Sequence, residues 1–215
     1  AVADCAGYVI TDLPGLRPMP CVLLPFDGSG GGMVTPPATA GGFQAPITDV
    51  VTYPPNHIYT PLGSQTLPPD TTNALNNEFR NGGVFFGAFA VSSQGDWGWV
   101  VGANSREAAH EIAIEECSRH AAGCTVYAEI LPQGYQPLRP GQASLASEAA
   151  DYFNNPGNRP QYRAFAVSED GAYSMVWGYG SQAEAEAAAL ADCSGYVITD
   201  LPNLRQMPCV LLPFQ

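Results

Sequence analysis

Lysine is missing from the 215 residues: all eight basic positions are arginine, set against twenty aspartates and glutamates, for a formal net charge of −12. Without lysine there is no Schiff-base amine, no P-loop lysine and no Ser-Lys dyad. A field this negative repels phosphate backbones and anionic lipid, so neither nucleic acid nor a polybasic membrane contact is an expected partner. Histidine is scarce, at three residues, His57, His110 and His120, which leaves few bases for a hydrolytic triad. No run of about 18 apolar residues occurs, so no membrane insertion is expected. No charged segment leads into an apolar leader core either, so any secretory leader is expected to have been removed already.

What the chain does have is 46% hydrophobic residues with 23 glycines and 20 prolines. That balance describes folded segments joined by Pro/Gly-rich connections, and the length allows one large domain or two small ones. An internal repeat organises it. "AVADCAGYVITDLPGLRPMPCVLLPF" (1–26) lies over "ALADCSGYVITDLPNLRQMPCVLLPF" (189–214) with four differences: Val2/Leu190, Ala6/Ser194, Gly15/Asn203 and Pro18/Gln206. A second repeat sets "AFAVSSQGDWGWVVGANSREAAHEIAIEEC" (88–117) over "AFAVSEDGAYSMVWGYGSQAEAEAAALADC" (164–193) without a gap. Upstream, "NALNNEF" and "SEAADYF" are looser counterparts.

Each copy reads as a short β-prone run, a Gly-containing turn and a second β-prone run, hence a hairpin. A helix then starts at Ser105 or Ser181 as N-cap, and Glu184 completes a capping box in the second copy. Ala109, Ile112, Ala113 and Cys117, like Ala185, Ala188, Ala189 and Cys193, make one apolar helix face ended by a cysteine. "CTVYAEILP" and "CVLLPF" then supply a last strand. The expected fold class is α+β: tandem small disulfide-clipped ββαβ modules, antiparallel sheets with helices on one face. Residues 1–26 form a half-module of helix end, disulfide loop and strand. Residues 27–70 are a Pro/Gly/Thr-rich linker with little regular structure, 71–133 the first full module, and 134–215 the second.

The six cysteines allow many pairings in principle. The short copy carries both members of its pair, so pairing within copies is expected: Cys5 with Cys21, Cys117 with Cys124, Cys193 with Cys209. Three disulfides imply an oxidising compartment, extracellular or periplasmic. Zinc is the weaker reading, because the spacings lack a C-x2-C knuckle. No cofactor and no metal is expected.

Several motifs look chemical. "GYGSQA" (178–183) matches a dinucleotide fingerprint, but it follows a hairpin strand and its sister is "GANSRE", so a turn and N-cap is the better reading. "HEIAIEECSRH" gathers His110, Glu111, Glu115, Glu116 and His120, yet Ile114 stands where a zincin needs its second histidine, so a solvated acidic face is favoured. "DGSGGG" (27–32) is not G-x-S-x-G. No catalytic residues are assigned. Trp97, Trp99, Tyr173, Trp177 and Tyr179 fall on the second hairpin strands, where alternate residues face opposite sides. Half are expected in the core, and the rest form a possible binding strip for glycan or protein.

The pattern of Ala88, Ala90, Val91, Ser92, Gly95, Gly102, Ser105, Ala109, Ala113, Cys117 and Cys124, repeated from Ala164 to Cys209, resembles the small secreted bacterial modules of the domain of unknown function 4189 type. The resemblance implies a secreted bacterial origin and supplies no site residues. The 15-residue insert between Cys193 and Cys209 and the long linker depart from it.

The expected function is that of a non-enzymatic extracellular structural protein that self-associates. Its partners would be copies of itself, because the half-module strand Val22, Leu23, Leu24 and Phe26 has no hairpin of its own and unpaired strands recruit others. Such a head-to-tail contact need not close, which gives a filament or chain. Two alternatives remain: a monomeric module binding glycan or another surface protein, and one unit of a longer tandem array with a 188-residue period.

Overall fold

Alanine-rich helices can lie close to a sheet only where the sheet offers small residues. The computed structural model meets that condition twice. It describes residues 43–82, 84–158, 161–196 and 207–214, all within one compact unit, Ala38–Gln215. The segment containing Cys5, Cys21 and Val22 to Phe26 lies outside the described residues.

The first sheet has four strands in the order β2 (His57–Pro61), β5 (Thr125–Pro132), β3 (Gly87–Val91) and β4 (Trp97–Val100). Strand β3 (Gly87–Val91) and β4 (Trp97–Val100) form the expected hairpin, with Ala88 opposite Val100 and Val91 opposite Trp97. Its turn closes through Ser92 N–H donating to Asp96 O at 2.9 Å, and Gly95 adopts φ +94°, the left-handed conformation that a side chain resists. Strand β5 (Thr125–Pro132) pairs antiparallel with β3. Helix α2 (Arg106–Ser118) crosses this sheet and buries Ala109, Ile112, Ala113 and Cys117, the stripe expected from the sequence. Ser105 caps it by accepting from Ala108 N–H at 3.0 Å.

The second sheet has the order β8-β7-β9. Strands β7 (Ala164–Val167) and β8 (Tyr173–Val176) are a hairpin, and β9 (Val210–Leu211) pairs antiparallel with β7. Helix α4 (Gln182–Ser194) buries Ala185, Ala189 and Cys193, and Ser181 caps it by accepting from Glu184 N–H at 3.3 Å. The chain is thus mixed α+β with antiparallel hairpin sheets, and two of the expected disulfides are formed, Cys117–Cys124 and Cys193–Cys209.

The described part of the stretch 27–70, residues 43–70, departs from its reading as a linker of little structure. From Asp49 onward it is built into the fold. Strand β1 (Asp49–Val51) pairs parallel with β6 (Gln142–Ser144). Strand β2 (His57–Pro61) pairs antiparallel with β5 along its whole length. The surrounding prolines suggest a linker, but Ile58, Tyr59 and Thr60 are good strand formers, and proline is tolerated at the end of an edge strand. Helix α1 (Pro69–Asn73) continues through a π-helical stretch, Ala74–Phe79, which buries Leu75 and Phe79. Its looser counterpart is α3 (Ser147–Asn154), which buries Ala149 and Ala150.

Helix α2 approaches β4 so closely that a Cβ on Gly98 would stand 2.2 Å from Cys117 N and 2.7 Å from Glu116 Cβ. A Gly98→Ala variant must push helix and strand apart, at a cost of about 1–3 kcal/mol. A urea midpoint lowered accordingly is expected; an unchanged midpoint would contradict the close approach.

Candidate functional site

Titratable side chains converge first at Glu129. This β5 carboxylate is 5% exposed, and its Oε2 lies 2.8 Å from both Arg106 Nε and His110 Nε2. Arg106 and His110 are four residues apart on one face of α2, so a buried carboxylate and two side chains from a single helix turn pin the helix to the sheet. Of the acidic face expected in "HEIAIEECSRH", His110 is therefore drawn inward, whereas Glu116 pairs with Arg119 at 3.0 Å. Burial, and then the Glu107 charge, push the nearby Tyr135 hydroxyl up to about 12, so it stays protonated and non-nucleophilic at neutral pH. Among the described residues, no group of three His, Cys, Asp or Glu is placed to hold a metal ion. Nor is any described helix long and apolar enough to cross a membrane.

The aromatic residues are divided between the two sheets. Trp97 and Trp99 are half-buried and pack on the first core, Trp99 edge-on to Phe79 at 6.2 Å. Tyr173 stacks on Phe165 at 6.0 Å and donates its hydroxyl to Glu148 Oε1 at 3.0 Å. Burial, then that carboxylate, raises its pKa. Trp177 and Tyr179, expected on the second hairpin strand, instead lie just past the end of β8, where the chain turns toward α4, and are 45% and 39% exposed. "GYGSQA" is the turn from β8 into α4, with Gly178 at φ +80°, and its strand belongs to an antiparallel hairpin rather than to a parallel phosphate-binding unit.

The arrangement with the clearest consequence for partners is the seat of β9. Val210 and Leu211 pair with Val167 and Ala166, and Leu212 N–H adds one bond to Phe165 O at 2.9 Å. Side chains alternate across the sheet. Val210, Leu212 and Phe214 pack on the cluster of Phe165, Val167, Leu145 and Ala149. Cys209 and Leu211 face the cluster of Ala166, Ala185, Ala189 and Cys193 on the α4 side. Phe214 is wedged against Phe153 at 5.5 Å and Phe165 at 5.7 Å, and the Arg163 guanidinium sits 5.1 Å from its ring centre. A short backbone ladder, apolar anchors and one disulfide hold the segment 207–214 in place.

The segment 19–26 reads MPCVLLPF, and so does 207–214. The seat on β7 thus accepts a sequence that the chain carries twice. No protein-family model matches the chain, nor does any curated protein or solved structure.

A polar junction joins the two sheets. Asn104, fully buried, donates from Nδ2 to Ser168 O at 2.8 Å and accepts at Oδ1 from Ala146 N–H at 2.8 Å. Its backbone N–H donates to Glu169 O at 2.8 Å, and its carbonyl accepts from Ser144 Oγ. Ser105 Oγ and Phe43 N–H both donate to the Glu169 carboxylate, at 2.9 and 2.7 Å. The second hairpin turn presses so closely here that a Cβ on Gly171 would lie 2.6 Å from Gly102 O. Sequence reading missed Asn104, Ser144, Glu169 and the Arg106–Glu129 pair. The one local signal was Asn104, which stands where the sister copy has Gly180.

Asn104→Ala leaves amide and carbonyl groups at this junction without partners, and a loss of about 1–3 kcal/mol in the urea-unfolding free energy is expected. No loss would show that the junction is slack. Burial raises the Glu169 pKa above its ordinary 4.5, with Glu107 and Glu111 adding to the effect and its hydrogen bonds opposing it. The raised value means that the protonated form is favoured in the folded state. Its contribution is therefore full below 4.5 and is lost as pH rises through the raised value. Thermal midpoints of the protein should carry this slope, and those of Glu169→Gln should lack it; identical slopes would contradict the assignment.

Proposed function

We propose that the chain is a secreted, non-enzymatic structural protein that self-associates by strand exchange. The segment 19–26 of one copy takes the place on β7 that 207–214 occupies within a chain. The observation that carries this reading is the identity of the two segments together with the seat described for one of them. Whatever recognises Val210, Leu211, Leu212 and Phe214 recognises Val22, Leu23, Leu24 and Phe26 equally, because the side chains are the same.

Three physical points support it. β9 is a two-residue ladder at a sheet edge, the kind of element that opens at low cost. Most of its hold comes from side chains that an incoming copy reproduces. Donor and acceptor are different surfaces of the protein, so the contact is head-to-tail and extends into a chain or filament rather than closing as a symmetric pair. Secretion is the compartment proposed, since the two disulfides are compatible with an oxidising environment. The tandem ββαβ reading belongs to the same proposal, with kinship to the secreted bacterial modules named above.

A second reading, a unit of a longer tandem array, is favoured by the Asn104–Glu169 junction, where the turn of one hairpin unit seats on the strand-to-helix corner of the preceding one. The two readings are compatible, because both make the module-to-module contact the working surface.

Removing residues 1–26 is expected to turn oligomers into single copies by light scattering. Leu24→Asp should do the same, because the matching Leu212 is 6% exposed and a carboxylate cannot be seated there. Oligomers that survive both changes would rule out strand exchange.

A further inference from the structure

The seat on β7 includes a cysteine. Cys193, 1% exposed at the end of α4, is bonded to Cys209, the residue directly before β9, with a Cα–Cα distance of 6.2 Å. A second copy's segment 19–26, placed in the register of 207–214, sets Cys21 where Cys209 stands. We propose that strand exchange is locked covalently: Cys21 of one copy forms a disulfide with Cys193 of the next. This inference rests on the strand-exchange reading and adds to it the site and chemistry of a cross-link.

The step balances without net oxidation. A small-molecule thiol, present as its thiolate, opens the Cys5–Cys21 bond expected from the sequence; it caps Cys5 as a mixed disulfide and releases the Cys21 thiolate. That thiolate attacks Cys193 Sγ of the acceptor copy, the Cys193–Cys209 bond breaks, and Cys209 leaves as a thiolate. Cys209 then attacks the capped Cys5 and regenerates the small thiol. Two disulfides are consumed and two formed, both now between copies.

The geometry sets the order of events. Cys193 is buried beneath β9, so no thiolate reaches its sulfur until β9 lifts from β7. Displacement of the strand therefore precedes exchange, and a chain whose β9 stays seated keeps its internal bond. Cys117 offers no such route: its partner Cys124 leads into β5, an eight-residue strand paired on both sides, with β2 and β3. Of the two clips among the described residues, one is thus exchangeable and the other protected.

The test mixes isotopically heavy and light full-length chains in a buffer containing reduced and oxidised glutathione, followed by light scattering and by mass spectrometry of a non-reduced digest. The expected result is oligomers together with a mixed-isotope peptide joining Cys21 to Cys193, and a thiol-sensitive ladder on non-reducing gels that Cys21→Ser abolishes. No mixed-isotope peptide at Cys117 or Cys124 is expected. Oligomers in which Cys21 is found only with Cys5 would overturn the covalent lock while leaving strand exchange standing. Single copies throughout would overturn both.

Discussion

The disulfide from the end of a helix to the start of the following strand is the constraint around which each sheet is organised. Helices α2 and α4 reach their sheets mainly through alanine, which buries little area per residue, so the apolar contribution of each helix is small. A covalent clip of a seven- or sixteen-residue separation removes unfolded-state freedom worth about 2–4 kcal/mol. In a unit with so modest a core, that is a large share of the stability. The same clip delivers the following strand to the sheet, so helix placement and strand pairing are one event.

The two sheets then differ in how much rests on the clip. In the first, β5 is eight residues long and lies between β2 and β3, and Glu129 on it binds Arg106 and His110. Ladder hydrogen bonds, an ion-pair network and the clip all act together there. In the second, β9 contributes two residues at an edge and relies on Leu212, Phe214 and Cys209. In the proposed strand exchange, this difference leaves the first sheet as the fixed base and the second as the acceptor. Asn104 and Glu169 connect the two, which keeps the second sheet registered against the first.

Much of this architecture was legible in the repeats. The gapless match of 88–117 with 164–193 located both hairpins, both serine caps and both buried helix faces, because hydrophobic period and turn chemistry are local properties. The cysteine pairs that are described followed from the other repeat, 1–26 with 189–214, whose short copy carries both members of its pair. What local pattern could not give was contact between distant residues. β2 was hidden because prolines on either side obscured a strand whose partner lies about seventy residues on. The Asn104 junction was invisible because its partners, Ser144 and Ala146 in one segment and Ser168 and Glu169 in another, are distant in sequence. Seeing MPCVLLPF twice told us that a part recurs; the seat on β7 turned that repetition into a binding argument.

The central claim, that this seat accepts the second copy of its own strand, is tested most directly by competition. Sedimentation velocity of the full chain carrying Cys5→Ser and Cys21→Ser, which keeps the donor strand but cannot form the covalent lock, is followed as a synthetic peptide of residues 19–26, with Cys21→Ser, is added. The account predicts that the peptide fills the β7 seat and shifts the boundary to single copies, while a scrambled peptide of the same composition does nothing. Assemblies whose size is unchanged at saturating peptide would contradict it.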